Sequence, residues 1–503
     1  MTNGTFGNRR WRQRSTPSGM DHAGLAMGLC LMSLALAALS LAGTKSWLLF
    51  GVVVLPAVLI SAASLARIIY TFQVNVFSLV FFGTVLWYAG PLAAGAFPGS
   101  SVTLPPDSLI VTSLSVGLIA TSLALVIVLY FCFPHPIASV SWPDVFIRER
   151  AARILVITAS VLMLFLIVSG RWTFGSLSSN IEAEGKQILL GANFLAILVF
   201  PLSGALLANS LRRKRTISAE TVIMAGCVVV ALVWALVSGR RNFAVAVVLA
   251  AAGFLSVLWR NKPASTIIVQ GAIAAVVGLV LVSAGWQTFF MMRYASYSLQ
   301  KGADVPSLAE MYALSKAVDR REASAEYAKN LSSRGAIISS VSVVASNADG
   351  ALLGEGALNS IIVVIPSVLF PGKSDWERRI GGSQELLWSM RINVPLNDWA
   401  NTLFLDSYAD FSLFGLPLYL LIVTGILSSL RFVSRGDPFA EYIIVAGVLY
   451  ALLNVEGGLS SLLVTMRNLL MVLLLWRFYI ELVPHLGRSG RSAEGRRLPV
   501  VRT

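Results

Sequence analysis

Long apolar runs, separated by short polar or basic stretches, dominate the chain of 503 residues. We place the runs near residues 23–43, 47–66, 75–97, 107–133, 153–169, 188–211, 220–238, 242–259, 266–288, 411–431, 440–455 and 461–482. Most are close to the length of about 20 residues with which an α-helix crosses the hydrocarbon core of a bilayer. The pattern therefore predicts about twelve transmembrane helices.

The composition supports this interpretation. Hydrophobic residues make up 56% of the chain and charged residues only 13%, and the mean hydropathy is +0.75. A soluble domain carries about 25% charged residues, since its surface must be covered with polar groups. We therefore expect an all-α polytopic integral membrane protein. Soluble enzymes and nucleic-acid-binding modules are excluded as function classes.

The basic residues predict how the helices are oriented. The net charge is +14, and every loop on the side of the two tails is basic. These loops carry Arg67; Arg148, Arg150 and Arg153; Arg212, Arg213, Lys214 and Arg215; Arg260 and Lys262; Arg431 and Arg435. Cytoplasmic loops are enriched in Lys and Arg. The surplus charge therefore indicates topology, with both tails in the cytoplasm, rather than binding to nucleic acid.

This topology divides the chain into five parts. A basic tail (1–22) precedes helices 1–9 (23–288), a large outer loop (289–400), helices 10–12 (401–482) and a second basic tail (483–503). Within the loop, the apolar segment 351–370 is interpreted as an interfacial or re-entrant helix, because a span there would move the basic loop after it to the outer face.

Metal and cofactor chemistry find no support in the sequence. Cys30, Cys132 and Cys227 all lie in apolar runs, where cysteine behaves as a small hydrophobic residue. The chain has no HExxH motif and no GxxxxGK[ST] loop. We expect no metal ion and no other cofactor.

An arginine pair stands at a tight turn that the topology places on the outer face. Arg240 and Arg241 lie in the sequence SGRRNF, residues 238–243. Positive charge is disfavoured there, so we interpret the pair as a clamp for a lipid-linked diphosphate. The guanidinium fork matches phosphate oxygens bidentately and keeps its charge. Snorkelling of both side chains to lipid headgroups is the alternative.

A second candidate cluster lies late in the outer loop, in FPGKSDWERR, residues 370–379. Its basic side chains are candidates for binding phosphate, its tryptophan is a candidate for stacking on a sugar, and its glutamate is a candidate base. These residues are Lys373, Arg378, Arg379, Trp376 and Glu377, and Arg293 is a further basic candidate at the start of the loop. A solvated loop whose charges pair among themselves is the alternative.

The third candidate cluster is TLFLDSYADFSLFG, residues 402–415, before the predicted span 411–431. Asp406 and Asp410 are four residues apart and share one face of a helix. Either could act as a base for an incoming hydroxyl or hold arginines of the loop. Tyr408, between them, is a candidate for contacting substrate. A polar helix start is the alternative explanation.

The order of these motifs resembles the O-antigen polymerase and oligosaccharide repeat-unit polymerase families of bacterial envelopes. Those families commonly carry a G-x-R turn, a large outer loop with a P-x-K-P-like stretch, and E-x-Y-x-x-F-G at a helix start. The resemblance covers about residues 150–430. This chain departs from the pattern at Ser374, which replaces proline, at Asp406, which replaces glutamate, and at Ser412, which replaces glycine.

The resemblance implies a GT-C-like glycosyltransferase in the bacterial inner membrane. It would polymerise undecaprenyl-diphosphate-linked oligosaccharide repeat units into O-antigen or exopolysaccharide at the periplasmic face. Membrane lipid and a chain-length regulator protein are the further partners that the resemblance implies, and nucleic acid is not among the partners.

Two other function classes stay open. An O-antigen ligase has a similar layout, but such ligases usually carry a histidine in the outer loop, and residues 289–400 contain none. A transporter or flippase of lipid-linked sugars would tend to show paired half-sequence repeats and broken helices. The sequence shows no such pairing, so we favour the polymerase.

Overall fold

The protein is described by a computed structural model at residues 73–74, 76–84, 108–132, 138–139, 149–169, 187–213, 217–238, 240–259, 262, 264–299, 313, 316, 340–365, 369–373, 375–376, 384–394, 402–434, 437–453 and 457–488. These residues are almost entirely helical. A pair of two-residue antiparallel strands, β1 (Gln73–Val74) and β2 (Ala138–Ser139), is the exception in this part of the chain.

The helices, in chain order, are α1 (Val76–Thr84), α2 (Ser108–Cys132), α3 (Glu149–Val168), α4 (Gln187–Arg213), α5 (Ala219–Ser238), α6 (Arg240–Leu258), α7 (Ala264–Leu299), α8 (Glu355–Val364), α9 (Gln384–Ile392), α10 (Leu403–Phe411), α11 (Gly415–Ser434), α12 (Pro438–Leu453) and α13 (Leu459–Arg488). A short 3₁₀ turn, Ser412–Phe414, joins α10 to α11.

Six segments of the described residues are long and apolar enough to cross a membrane. They are Glu149–Val168, Leu195–Arg213, Ala219–Ser238, Ser265–Phe289, Leu403–Phe432 and Leu459–Phe478. Shorter apolar helices, Leu114–Val126, Asn242–Leu258 and Pro438–Leu453, lie at three more of the predicted spans. The chain is thus a helical membrane protein. The predicted spans 23–43 and 47–66 lie outside the described residues, so the number twelve stays a prediction.

Hydrogen bonds and ion pairs define two ends of the helical bundle. At one end, which we call the basic end, Glu149 at the start of α3 binds Arg213 at the end of α4, with 2.7 Å between Oε2 and Nη2. Arg153 pairs with both Glu149 and Glu220, the latter at the start of α5. Because successive helices run in opposite directions, Val168, the start of α4 and Ser238 lie at the other end, which we call the loop end.

Helix α12 forms the centre of the bundle. Of its 16 residues, 13 are buried, among them Tyr442, whose hydroxyl donates to the Leu198 carbonyl of α4. Helices α4 and α6 pack at very close range beside it. A Cβ atom built on Gly204 would lie 2.2 Å from the Ala250 carbonyl oxygen, and one on Gly253 would lie 1.9 Å from that of Pro201. Small residues allow such close approach between membrane helices.

The predicted span 411–431 is only partly continuous with the helix before it. Helix α10 ends at Phe411, and the chain turns sharply at Ser412, where φ is 53°. A Cβ atom on Gly415 would lie 1.7 Å from the Ser407 carbonyl oxygen, so α10 folds back beside α11. Asp406 and Asp410 therefore lie on a separate helix packed against the span. The membrane-crossing unit is α11 alone, whose 20 residues reach about 30 Å.

Helix α7 is longer than the predicted span 266–288. It continues without a break to Leu299, so the beginning of the predicted outer loop is helical. Its membrane segment is hardly buried by other helices, and its exposed side chains are apolar: Val269, Ile273, Val276, Val277, Val280 and Leu281. Such a face suits contact with lipid.

Candidate functional site at the loop end

A short helix, α8, lies at the loop end. Its ten residues rise about 15 Å, half the thickness of a bilayer core, so this helix cannot cross the membrane. It begins after Gly354, whose φ of 97° is accessible to glycine. Backbone hydrogen bonds from Leu352 to Ala409 (3.0 Å) and from Leu353 to Asp410 (2.9 Å) attach this turn to α10. The segment predicted as a re-entrant or interfacial helix is therefore packed against α10.

Asp410 holds the N-terminus of α8. Its carboxylate accepts the backbone N–H groups of Gly356 (2.9 Å) and Ala357 (2.7 Å) and the hydroxyl of Tyr419 (2.6 Å). The side chain is completely buried. The positive end of a helix dipole stabilises a carboxylate at this position. Asp410 thus caps a helix that lies more than fifty residues earlier in the chain.

Asp406 has the same relation to the N-terminus of α13. One carboxylate oxygen accepts the backbone N–H of Leu459 at 3.1 Å, and the side chain is only 3% exposed. A Cβ atom on Gly458 would lie 2.1 Å from that oxygen, so the approach requires glycine there. The alternative explanation from the sequence is that the two aspartates mark the start of their own helix. That explanation does not account for these contacts with other helices. Whether either carboxylate also accepts a proton from a substrate stays a prediction.

The C-terminus of α8 binds two cationic side chains. Lys373 donates from Nζ to the carbonyl oxygens of Val363 (2.5 Å) and Ile365 (3.3 Å). Arg467, on α13, donates from Nη1 to the Val364 carbonyl oxygen at 3.0 Å. Positive charge is favourable at this end of a helix dipole. Helix α8 therefore has a carboxylate at its positive end and two cations at its negative end.

Trp376 and Tyr408 are both partly buried. The indole N–H of Trp376 donates to the Asn359 side chain of α8 at 3.1 Å. Tyr408 packs against the hydrophobic core. Trp376 is therefore attached to α8 through Asn359, and its stacking on a sugar stays a prediction.

The arginine pair lies at the start of a helix rather than in a turn. Arg240 and Arg241 are the first two residues of α6, and only Gly239 separates them from the end of α5. The next residue, Asn242, accepts a hydrogen bond from the Tyr450 hydroxyl at 2.7 Å, near the end of α12. Helix α12 also packs against α13. The start of α6 thus belongs to the same end of the bundle as Asp406 and α8.

Three of the candidate site residues lie outside the described residues: Glu377, Arg378 and Arg379. Arg293 lies on the extended part of α7, so its backbone is helical rather than part of a loop. The described candidates Lys373, Trp376, Asp406 and Asp410 all contact α8 or its neighbours.

The sequence analysis does not predict two side chains of this site, Tyr419 and Arg467. Tyr419 is one aromatic residue in an apolar run, and the sequence contains no signal that points to its bond with Asp410. Arg467 is different, since it interrupts the apolar run 461–482 with a charge. A charged residue within a membrane helix marks a functional site by default, so this signal was available.

The chain matches no family model, no curated protein and no solved structure.

Proposed function

We propose that this protein polymerises undecaprenyl-diphosphate-linked oligosaccharide repeat units at the loop end of its bundle, and that this end faces the periplasm of a bacterial inner membrane. The position of the three motif segments at one end of the bundle carries the proposal. The DSYADF segment caps α8 through Asp410, the FPGKSDW segment binds the other end of α8 through Lys373, and the arginine pair opens α6 at the same end. More than 160 residues separate the first of these segments from the last.

The conformation of Ser412 gives further support. The related families carry glycine at the position that Ser412 occupies after D-S-Y-A-D-F. Its backbone angles, φ 53° and ψ −135°, lie in a region that glycine adopts easily and other residues adopt at a cost. The backbone at this position therefore favours glycine, the residue that the families with the similar pattern have there.

The reaction we infer is a glycosyl transfer between two lipid-linked sugars. A hydroxyl oxygen of the acceptor repeat unit attacks the anomeric carbon of the donor chain, and the bond from that carbon to the diphosphate oxygen breaks. Undecaprenyl diphosphate leaves with the bonding electrons, and the hydroxyl proton passes to a carboxylate. Asp406, Asp410 and Glu377 are the candidates for that carboxylate.

Cationic side chains supply the electrostatic stabilisation in this reaction. The leaving diphosphate gains negative charge in the transition state, and fixed positive groups stabilise it there. Arg240 and Arg241, at the start of α6, are the candidates for this role. The positive end of the helix dipole adds to their field.

The experiment that tests the function compares lipid-linked glycans in a strain with and without the gene. Single repeat units without long chains in the deletion strain support a polymerase. Long chains that stay on undecaprenyl diphosphate would instead indicate a ligase. An accumulation of unextended units on the cytoplasmic face would indicate a flippase.

The residues are tested by variants in the same strain. Arg240→Ala or Arg241→Ala should leave single repeat units at normal protein levels, and the loss of one such contact typically slows a reaction about 10²–10³-fold. Arg→Lys should fall between wild type and Arg→Ala, because lysine keeps the charge but loses the planar fork. Wild-type chain lengths in both alanine variants would favour snorkelling to headgroups instead.

The base is tested with Asp406→Asn and Asp410→Asn. Chain elongation is divided by the amount of folded protein, because both residues also cap helices. A lower rate per folded protein supports a role in proton transfer. An unchanged rate leaves these carboxylates with their capping contacts alone and makes Glu377 the next residue to test.

A further inference from the structure

The two ends of α8 lie at different heights along α13, against which this helix packs. The first turn of α8 is bound by Asp410, which lies one helical turn from Asp406, the residue that binds the first N–H of α13. The last turn lies beside Arg467, which donates to the Val364 carbonyl oxygen. Arg467 follows Leu459 by eight residues, a rise of about 12 Å. Helix α8 therefore extends from the start of α13 along that helix.

This arrangement puts the C-terminus of α8 at membrane depth. The segment of α13 that can cross a membrane begins at Leu459 and has 20 residues, which rise about 30 Å, the thickness of a hydrocarbon core. Packed helix axes are about 8–10 Å apart, so the Arg467 side chain uses most of its reach to cover that sideways distance. The last turn of α8 therefore lies roughly 10 Å inside the core, whereas its first turn lies near the boundary.

The N-terminus of α8 has all its backbone N–H groups bound by the protein. The first four N–H groups of a helix need partners other than its own carbonyl groups. Asp410 accepts two of them, from Gly356 and Ala357. The other two bind backbone carbonyl oxygens of the preceding turn: Glu355 that of Leu352 at 3.1 Å, and Leu358 that of Gly354 at 2.9 Å. This end of α8 therefore needs no water to satisfy its backbone.

The C-terminus of α8 is satisfied in the same way. Its last four carbonyl oxygens all accept hydrogen bonds from the protein: those of Ile361 and Ile362 from the Ile365 N–H, that of Val363 from Lys373, and that of Val364 from Arg467. At a membrane surface, water could bind such groups instead. Within hydrocarbon the protein must supply every partner, because an unsatisfied backbone group is costly there. The complete set of partners therefore suits a helix that ends inside the membrane.

The side chains of α8 are distributed inside out compared with a helix of a water-soluble protein. Its buried residues include the polar Asn359 and Ser360, whereas Leu358 and Ile361 are exposed. A helix at the surface of a soluble protein buries its apolar face and exposes its polar one. The exposed face of α8 is therefore matched to hydrocarbon rather than to water.

Polarity also changes along the axis of α8. The only polar side chain of this helix that is not buried is Glu355, its first residue, which pairs with Arg391 at 2.9 Å. The accessible side chains after Glu355 are apolar, and so is the exposed Leu369 beyond the end of the helix. A helix that lies flat in the interface has a polar face along its whole length. The pattern therefore favours an axis that is directed into the membrane.

We propose that α8 is a re-entrant helix, which enters the membrane from the loop end with its C-terminus towards the membrane centre. Its exposed face, formed by Leu358 and Ile361, contacts the hydrocarbon chains of the lipids in the leaflet at that end. The proposal concerns a lipid-binding surface and does not depend on the proposed reaction, so it would also hold in a protein of another activity.

The test measures the depth of single nitroxide spin labels in phosphatidylcholine liposomes. The labels are attached to Leu353→Cys, Leu358→Cys and Ile361→Cys in the full-length protein, with the three native cysteines replaced by serine. Depth is obtained from the ratio of collisions with oxygen, which enters the hydrocarbon, to collisions with a water-soluble nickel chelate. Asp375→Cys is the control for an exposed polar position, and Leu474→Cys is the control for an exposed position of a membrane-crossing segment.

We expect the depth to increase from Leu353 to Leu358 to Ile361. The label at Ile361 should lie about 4–5 Å deeper than the label at Leu358, because three residues separate them along the helix. The nickel chelate should reach the label at Asp375 and should not reach the labels at Ile361 and Leu474.

Two results would overturn the proposal. Equal depths at Leu358 and Ile361 would show that α8 lies flat in the interface. Access of the nickel chelate to both labels, equal to its access at Asp375, would show that α8 lies in water.

A second pair of variants decides the question if a labelled protein does not fold. A carboxylate is costly inside the hydrocarbon core and much less so near its boundary. Ile361→Asp should therefore lower the melting temperature by several degrees more than Leu353→Asp does, and equal melting temperatures for the two variants would contradict the insertion of α8.

Discussion

The two ends of the bundle handle their charges differently. At the basic end, arginines pair with glutamates: Arg153 and Arg213 with Glu149, and Arg153 also with Glu220. At the loop end, the aspartates bind backbone N–H groups of distant helices, and Lys373 and Arg467 bind carbonyl oxygens. Opposite charges therefore neutralise each other at the basic end. At the loop end one ion pair, between Arg391 and Glu355 at 2.9 Å, accompanies charged groups that are bound to helix termini.

The carboxylates at the two ends differ in their partners. Glu149 and Glu220 pair with arginines of neighbouring helices. Asp406 and Asp410 instead accept backbone N–H groups at the starts of α13 and α8. Asp437 shows that the basic end also uses capping, but there the cap is local, to the N–H of Phe439 at 3.0 Å, with a second bond to Trp476. Among the described residues, capping of a distant helix by an aspartate is thus a feature of the loop end.

The largest effect on stability is expected from Asp410→Ala. It leaves the N–H groups of Gly356 and Ala357 and the Tyr419 hydroxyl without their acceptor in a buried site, and each such loss costs about 1–3 kcal/mol. We expect the free energy of unfolding to fall by at least about 3 kcal/mol. The measurement is the melting temperature, obtained by heating the protein in detergent and quantifying the folded fraction by size-exclusion chromatography.

The control for this variant is Asp375→Ala, since Asp375 is an exposed aspartate of the same end. Tyr419→Phe should give a smaller loss, because it removes one of the three donors. The effect of Asp410→Ala should persist at high salt, because the contact is buried. A melting temperature equal to that of Asp375→Ala would show that α8 does not depend on Asp410.

The second effect is expected from Gly458→Ala. A Cβ atom there would lie 2.1 Å from the Asp406 carboxylate oxygen, so the bond between Asp406 and the Leu459 N–H must lengthen or break. We expect a loss of about 2 kcal/mol, the usual scale for a strained or broken buried contact. Gly226→Ala is the matched control, because nothing lies within 4 Å of a Cβ atom at that helical glycine. Equal melting temperatures for both variants would contradict the tight approach.

The third effect distinguishes the ends by salt. Glu149→Gln removes the ion pairs to Arg153 and Arg213 at the basic end, and we expect a loss of about 1 kcal/mol at low ionic strength. The difference from wild type should shrink as salt is added, because partly exposed charges are screened. Arg150→Gln, an exposed neighbour, is the control. A loss that salt does not change would mean that both ends use charge in the same way.

The fourth effect, similar in size to the third, is a gain from Ser412→Gly. Its φ of 53° and ψ of −135° are strained for serine, and glycine should relieve about 1 kcal/mol of that strain. Ser412→Ala is the control, since alanine keeps the Cβ atom and the strain with it. A melting temperature that rises for glycine and not for alanine supports the sharp turn between α10 and α11.

Hydropathy alone located the membrane helices closely where they are described. The runs 153–169 and 220–238 correspond to α3 and α5, whose bounds differ by a few residues because helix starts depend on side chains such as Glu149 rather than on apolarity. The part of α7 after residue 288 was missed because it is no longer uniformly apolar. The turn at Ser412 was also missed, since serine carries no signal for a left-handed backbone.

The sequence singles out Lys373, Trp376, Asp406 and Asp410 as candidates, but it does not predict the contacts that they make. The sequence indicated that Asp406 and Asp410 share a face, and they do lie one turn apart on α10. Their partners, Leu459 and Gly356, lie more than fifty residues away in opposite directions along the chain. Such pairings depend on how the helices pack, which no local pattern encodes. The charge of Arg467 was visible and its position beside Val364 was not.

The order of residues along the chain implies that α8 is packed into place late, after it has been synthesised. The side chains that hold its two ends, Lys373, Asp410 and Arg467, all follow it in the sequence. When the ribosome has completed α8, none of these groups has yet been made. The short helix therefore reaches its final position only after the last described membrane segment has been synthesised, and a chain cut before α13 would leave its C-terminus without Arg467.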